Sequence, residues 1–214
     1  MPPPAQAAQL RRARHRDDAR RTILSATEAL MAESGYAGFS MRALVERCGY
    51  SAPTIYHYFT DKPGLLEAVV EEKLEDLVKE LEGLPAESDP VDQARTLSLV
   101  FARWGIRNPT HYHLINQPRD RDPSPGSAGQ RAVDLLSKPL GNLLQSNQIT
   151  ESELEIISQS LWACLHGLIS LPAVRPDKDW SPGLLEASVD ALFRGWLDEF
   201  ASRTRQGGSG HEGQ

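Results

Sequence analysis

Cysteine is almost absent from this chain. Cys48 and Cys164 are the only two in 214 residues, too isolated for a disulfide framework or for metal-ligand spacing. A reducing, cytoplasmic setting is therefore expected, with no metal and no cofactor. No uninterrupted apolar run approaches the roughly 18 residues that span a bilayer, and Met1-Pro-Pro-Pro-Ala lacks the apolar core of a secretory signal. No membrane partner is expected. Period-2 alternation and internal repeats are missing as well. So are a Gly-rich phosphate loop, a nucleophile elbow and a His-Glu-x-x-His pair. Cys164 and His166 lie two apart on one helical pattern and cannot face each other as nucleophile and base. An enzyme is therefore not expected. Positive charge is short too: 23 Lys+Arg stand against 29 Asp+Glu, a net −6, which taken whole counts against nucleic acid.

What is present revises that last exclusion. Residues 1–62 carry Arg11, Arg12, Arg14, Arg16, Arg20, Arg21, Arg42, Arg47 and Lys62 against six acids, a net +3, which leaves −9 on the remainder. A cationic head on an acidic body fits a chain whose one end approaches a polyanion. A merely solvated arm at Arg11–Arg21 fits the charge equally well.

Apolar spacing is helical throughout. Ile23, Ala26, Leu30 and Met31 mark a helix from Asp17 to Ser34, stopped by Gly35. Met41–Cys48 follows a Ser40 cap, and Ala52–Phe59 follows Ser51 with Pro53 in its first turn. A long acidic helix is predicted from Pro63 to about Leu81. Further helices are predicted over Pro90–Arg107, Pro109–Gln117, Gln130–Asn147 (kinked at Pro139), Glu151–Leu171 and Pro182–Arg203. Arg119–Gly129 reads as the main internal loop. The expected fold is all-α, with about nine helices. Its expected divisions are a basic disordered arm (1–16), a three-helix helix-turn-helix domain (17–62), a helical ligand-binding and dimerisation bundle (63–205) and a disordered tail (206–214).

Residues 40–62, SMRALVERCGYSAPTIYHYFTDK, are the most informative. Gly49 falls where the turn between two short helices needs positive φ. Leu44, Val45 and Cys48 can pack on Ile55 and Phe59, which share a face. Ala52, Pro53, Thr54, Tyr56, His57 and Tyr58 occupy the remaining surface. Small residues there permit close approach to a groove, and the hydroxyls and imidazole can bond phosphates or base edges. The same Tyr and His residues could equally serve packing alone.

With its Cys48-Gly49 turn, Ser51 cap, Thr54-Ile55-Tyr56-His57-Tyr58-Phe59 helix and Asp61-Lys62 step, this segment resembles the DNA-binding domain of the tetracycline-repressor (TetR) family of bacterial regulators. Gly35-Tyr36-Ala37-Gly38-Phe39-Ser40 resembles the family's junction between its first two helices. Cys48 and Tyr50 depart from the family's usual small and aliphatic residues. The resemblance implies that Arg42 reaches a phosphate or base edge, and that Ala52, Pro53, Tyr56 and His57 face the major groove. It also implies that Thr54 and Tyr58 bond the backbone, and that Lys62 holds a phosphate beside the amides of the next helix. Ala52, Pro53 and His57 would set specificity, with reliance on thymine methyls and DNA shape.

Further along, Trp162-Ala163-Cys164-Leu165-His166-Gly167 resembles the Trp-x-x-x-His-Gly helix of one TetR-type C-terminal class. Asn108-Pro109-Thr110-His111-Tyr112 resembles the start of helix six in that class. Gly167 lowers helix propensity by about 1 kcal/mol, tolerable where another backbone comes close. The family pairs its last two helices across a dimer, which implies an interface at Gly167 and along Leu185, Val189, Leu192, Phe193, Trp196 and Phe200. An intramolecular core is the alternative for that stripe. Phe101, Trp104, Tyr112, Leu114, Trp162 and His113 are the candidate walls of an apolar or aromatic effector pocket. His111 and His113 diverge on a helix, so no metal is expected between them.

The resulting expectation is a ligand-responsive regulator and repressor that binds a pseudo-palindromic operator as a homodimer. Its partners are double-stranded operator DNA and a small apolar or aromatic effector. The alternative is an all-α protein-interaction adaptor without sequence-specific DNA binding.

Overall fold

Caps and breakers place most of the helix ends. The computed structural model describes residues 4–117, 124–145 and 149–207. Among these the chain forms nine helices: α1 (Pro4–Gly38), α2 (Met41–Cys48), α3 (Ala52–Phe59), α4 (Lys62–Glu82), α5 (Pro90–Arg107), α6 (Pro109–Ile115), α7 (Ala128–Gln145), α8 (Glu151–Val174) and α9 (Leu184–Gly207). No strand occurs among the described residues. The fold is all-α, with an N-terminal helix-turn-helix and a C-terminal helical domain.

α2, α3 and α5 have the predicted ends, because each starts at a side-chain cap (Ser40, Ser51 and Asp89) and ends at a residue outside helical geometry. α1 leaves helical geometry at Gly35, φ 67°, where the stop was predicted. α8 starts at a capping box that the sequence reading overlooked. The Thr150 Oγ1 accepts from the Glu153 N–H at 3.3 Å, and the Glu153 carboxylate accepts from the Thr150 N–H at 2.8 Å. α7 runs through Pro139.

The largest difference is at the N-terminus. Residues 4–16, expected to be a disordered arm, form the first turns of α1. Ala, Gln, Leu and Arg dominate Ala5–Arg14, and all are strong helix formers. They extend a helix already nucleated by its packed half. At the other end Gln206 and Gly207 are helical, and the rest of the expected tail lies outside the described residues, as do residues 119–123 of the expected loop.

Two units make up the chain: residues 1–73 with Leu114–Asn116, and residues 74–113 with 117–214. The border is not at Lys62. α4 is unbroken, and its Leu65, Leu66, Val69 and Val70 are buried within the first unit. Three short helices alone offer too little apolar surface for a core. In the first unit those residues join Ile23, Leu24 and Met31 of α1, Leu44 of α2 and Ile55 of α3 in the interior. In the second unit α5 packs on α7, α8 and α9, and α8 also touches α7 and α9.

Candidate nucleic-acid interface and effector region

The α2–turn–α3 segment is held by short local bonds. The Ser40 Oγ accepts from the Ala43 N–H at 3.2 Å, and the Ser51 Oγ accepts from the Thr54 N–H at 3.3 Å. Gly49, φ 74°, ends α2, and its N–H donates to the Val45 carbonyl at 3.1 Å. With Leu44, Ile55 and Phe59 buried, α3 turns its other side outward. Pro53, Tyr56 and His57 are exposed, while Ala52, Thr54 and Tyr58 are half-buried. The Thr54 hydroxyl is 2.8 Å from the Ser51 hydroxyl, and Tyr58 packs edge-on against His57.

α4 begins almost where α3 stops. Thr60 takes φ 66°, the Asp61 N–H donates to the Phe59 carbonyl at 2.7 Å, and the Asp61 Oδ1 accepts from the Gly64 N–H at 2.7 Å. A Cβ on Gly64 would lie 2.3 Å from that same carbonyl oxygen, so glycine is what lets the two helices meet so closely. Lys62 folds its ammonium over Phe39, 5.1 Å from the ring centroid and 3.5 Å from the Phe39 carbonyl. Arg42 stands at the surface and pairs with Glu46 at 3.0 Å. Two supports escaped the sequence reading. Arg47 grips Glu33 of α1 through both guanidinium nitrogens at 2.7 and 2.6 Å, which holds that carboxyl below its ordinary range. Arg20 lies over the Phe59 ring, 5.6 Å from its centroid.

In the second unit, four of the six effector candidates fall into one aromatic ladder. Trp104 stacks on Phe101 with centroids 6.3 Å apart, Phe101 meets Tyr112 at 6.0 Å, Tyr112 meets His166 at 5.8 Å, and His166 stacks on Trp162 at 5.3 Å. The Tyr112 hydroxyl is 3.2 Å from the His166 Nδ1. His166 is the link that the sequence reading left out, although it stood inside the motif already singled out. Trp104 is 1% exposed, and its Nε1 has no hydrogen-bond partner. At the outer end Trp162 is 58% exposed. His113 is outside the ladder: it is exposed and bonds Gln117 at 2.8 Å, because its neighbour Tyr112 takes the inward face of α6. Leu114 groups with the first unit. Gly105 makes the ladder possible, since a Cβ there would lie 2.9 Å from Ile169 and 3.0 Å from the Tyr112 ring.

The interface stripe on α9 divides. Val189 and Phe193 are 0% and 4% exposed within their own chain, so they belong to the core and not to a partner contact. Ion pairs Arg95–Asp190 at 2.5 Å and Arg103–Glu186 at 2.9 Å hold that side of α9 against α5. Leu185, Leu192 and Trp196 are half-buried beside it, and the Phe200 side chain lies outside the described residues. The open apolar surface is on α8 instead, at Ile156, Trp162, Leu171 and Val174, with Leu184 at the start of α9. Gly167 is on the same helix, where only a Leu171 methyl comes within 4.0 Å. By length and composition α8 could cross a membrane, with a mean hydropathy of 1.3 over 18 residues, of which 22% are buried. A search for unbroken apolar runs missed it because uncharged Gln, Ser, His and Gly residues interrupt the run. Its packing on α5, α7 and α9 makes it a wall of the second unit.

Comparison with known proteins finds two family models along the chain. Residues 23–69 match the model for bacterial regulatory proteins of the tetR family, and residues 94–198 match the tetracyclin repressor-like C-terminal domain. The transcriptional regulator BetI of Cronobacter sakazakii is 29% identical over 71% of this chain and 74% of its own. The transcriptional repressor KstR of Rhodococcus jostii is 24% identical over 81% of this chain and 82% of its own. Among solved structures, RolR in complex with resorcinol superposes with a TM-score of 0.58 at 20% identity, over 89% of this chain and 96% of that one.

Proposed function

Because the chain belongs to the TetR family of DNA-binding transcriptional regulators, we propose that it is a cytoplasmic repressor that grips a pseudo-palindromic operator as a homodimer and lets go when a small aromatic effector enters its second unit. The observation that carries the DNA contact is the split surface of α3. Its apolar side is consumed by the core, and Pro53, Tyr56 and His57 are left facing outward on a helix short enough to enter a groove. Ala52, Pro53, Tyr56 and His57 then meet base edges, while Thr54, Tyr58, Arg42 and Lys62 meet phosphates. For those last contacts Arg42 must exchange Glu46, and Lys62 must exchange Phe39, for a phosphate. One such helix reads a half-site, and a two-fold dimer reads two half-sites about 34–36 Å apart. The face of α8 that carries Ile156, Gly167, Leu171 and Val174, flanked by Leu184, Leu185, Leu192 and Trp196, is the surface we assign to that pairing.

The effector region is the ladder Trp104–Phe101–Tyr112–His166–Trp162. A buried N–H without an acceptor costs about 1–3 kcal/mol, so the Trp104 Nε1 favours a ligand that brings an oxygen. A phenol would also match the Tyr112–His166 pair, and a structural relative has been solved with resorcinol. α4 is the element that would carry the signal, because it starts at the recognition helix while Glu75 and Glu80 near its other end pair with Arg131 of α7 and Arg107 of α5. A shift of α4 in each subunit changes the spacing of the two recognition helices. A coupling of about 1–3 kcal/mol, or roughly 5- to 150-fold in operator affinity, is enough.

Selecting duplexes from a random library with purified protein tests this reading, followed by release with resorcinol and related phenols. Arg42→Ala and Lys62→Ala are expected to weaken binding and flatten its salt dependence. Unchanged affinity and slope in both would overturn the assigned DNA face.

A further inference from the structure

Among the described side chains, the first half of α1 adds none to the buried core of its own chain. No described side chain before Ala19 is buried, and Arg11, Arg12, Arg14, His15 and Arg16 are all exposed. Among the described residues none of those four arginines has an ion-pair partner. Fifteen residues of helix, about 22 Å, therefore stand out from the core with a dense unneutralised positive charge. Like charges four apart weaken a helix, and Arg12, Arg16 and Arg20 recur at that spacing along one ridge. The ridge has a fixed position relative to α3, because Arg20 lies over the ring of Phe59, the last residue of that helix. From Arg20 towards the N-terminus, the arginines run outward from the point where α1 meets the last residue of α3.

We propose that this helical extension is a second DNA-contacting element, which lays Arg11, Arg12, Arg14 and Arg16 along the phosphates flanking each half-site. The inference rests on the DNA-binding reading above and deepens it. Arginines spread over several sides of one helix cannot all reach base edges at once, but they can follow a phosphate backbone and release its counterions. The extension thus lengthens the operator footprint and raises affinity without narrowing sequence preference.

The test uses the full chain and a duplex that it selects from a random library, prepared with and without about 10 additional flanking base pairs on each side, roughly one helical turn. Two quadruple variants at Arg11, Arg12, Arg14 and Arg16 are compared, one to Gln and one to Lys, both good helix formers. Far-UV circular dichroism checks that helix content is kept. If two arginines per subunit each neutralise a phosphate, the Gln variant loses four contacts per dimer and its salt slope falls by about 3.6, roughly 150-fold less attenuation between 50 and 200 mM salt. The Gln variant should also lose the wild-type preference for the longer duplex, while the Lys variant keeps both properties. A Gln variant with wild-type slope and flank preference overturns the extension's role and leaves the DNA-binding reading standing. A full chain that selects no duplex overturns both.

Discussion

Gly64→Ala is the sharpest probe of the joint between recognition helix and lever, because two opposed effects of known size meet there. Alanine in a helix is favoured over glycine by about 1 kcal/mol, so an open site would gain stability. At Gly64 the new Cβ lies 2.3 Å from the Phe59 carbonyl oxygen and 3.2 Å from the Asp61 Oδ1. Neither atom is free to retreat, since the carbonyl accepts the Asp61 N–H and the carboxylate caps the Gly64 N–H, both at 2.7 Å. Overpacking costs about 1–3 kcal/mol, and a lost cap adds about 1 kcal/mol. The clash wins, with a net destabilisation of about 1–3 kcal/mol after the gain in propensity is subtracted. For a chain of this length that lowers Tm by about 2–12 °C, readable by calorimetry. Fluorescence anisotropy should show weaker operator binding as well, because Tyr58 and Lys62 lie on either side of the displaced joint. A Gly64→Ala protein that melts at or above the wild-type temperature would refute the reasoning.

The remaining expectations are shorter. Gly167→Ala meets nothing closer than 4.0 Å in its own chain, so it should stabilise an isolated subunit by about 1 kcal/mol yet weaken dimerisation in analytical ultracentrifugation. Asp190→Asn should destabilise the protein at neutral pH. The Arg95 guanidinium holds the Asp190 carboxyl below its ordinary value, so its contribution is present above the unfolded pKa and disappears as pH falls through the lower, folded one. Denaturant titrations should therefore show wild type and variant converging in acid. Burial pushes the Cys164 thiol above its ordinary value, so its alkylation by iodoacetamide should be slower than that of free cysteine at pH 8 and should reach half its maximal rate at higher pH.

The helix-turn-helix was legible in the sequence because its determinants are local. Ser40, Gly49 and Ser51 act on neighbours within a few residues, and Ile55 and Phe59 share a face by spacing alone. Features that depend on partners distant in the chain were not legible. Nothing in the sequence spacing says that Arg47 will meet Glu33, that Gly105 will sit under Ile169 and Tyr112, or that Val189 and Phe193 will turn towards their own core. The stripe on α9 was visible as apolar, but its periodicity cannot tell which neighbour covers it. His166 lay in plain view inside a recognised motif, and only the approach of α6 to α8 gave it Tyr112 as a partner. The helical start of α1 is consistent with the propensity of Ala5–Arg14, against which the clustered arginines and the preceding prolines act in the opposite sense.

The two faces of α3 divide two tasks between separate residues. Ile55 and Phe59 answer to the interior, whereas Pro53, Tyr56 and His57 answer to whatever lies outside. On the proposed reading, substitutions on the outer side would change which operator is recognised without disturbing the buried contacts of Ile55 and Phe59. A duplicated copy of such a gene can thus acquire a new address through three or four exposed codons, while the rest of the chain goes on folding as before.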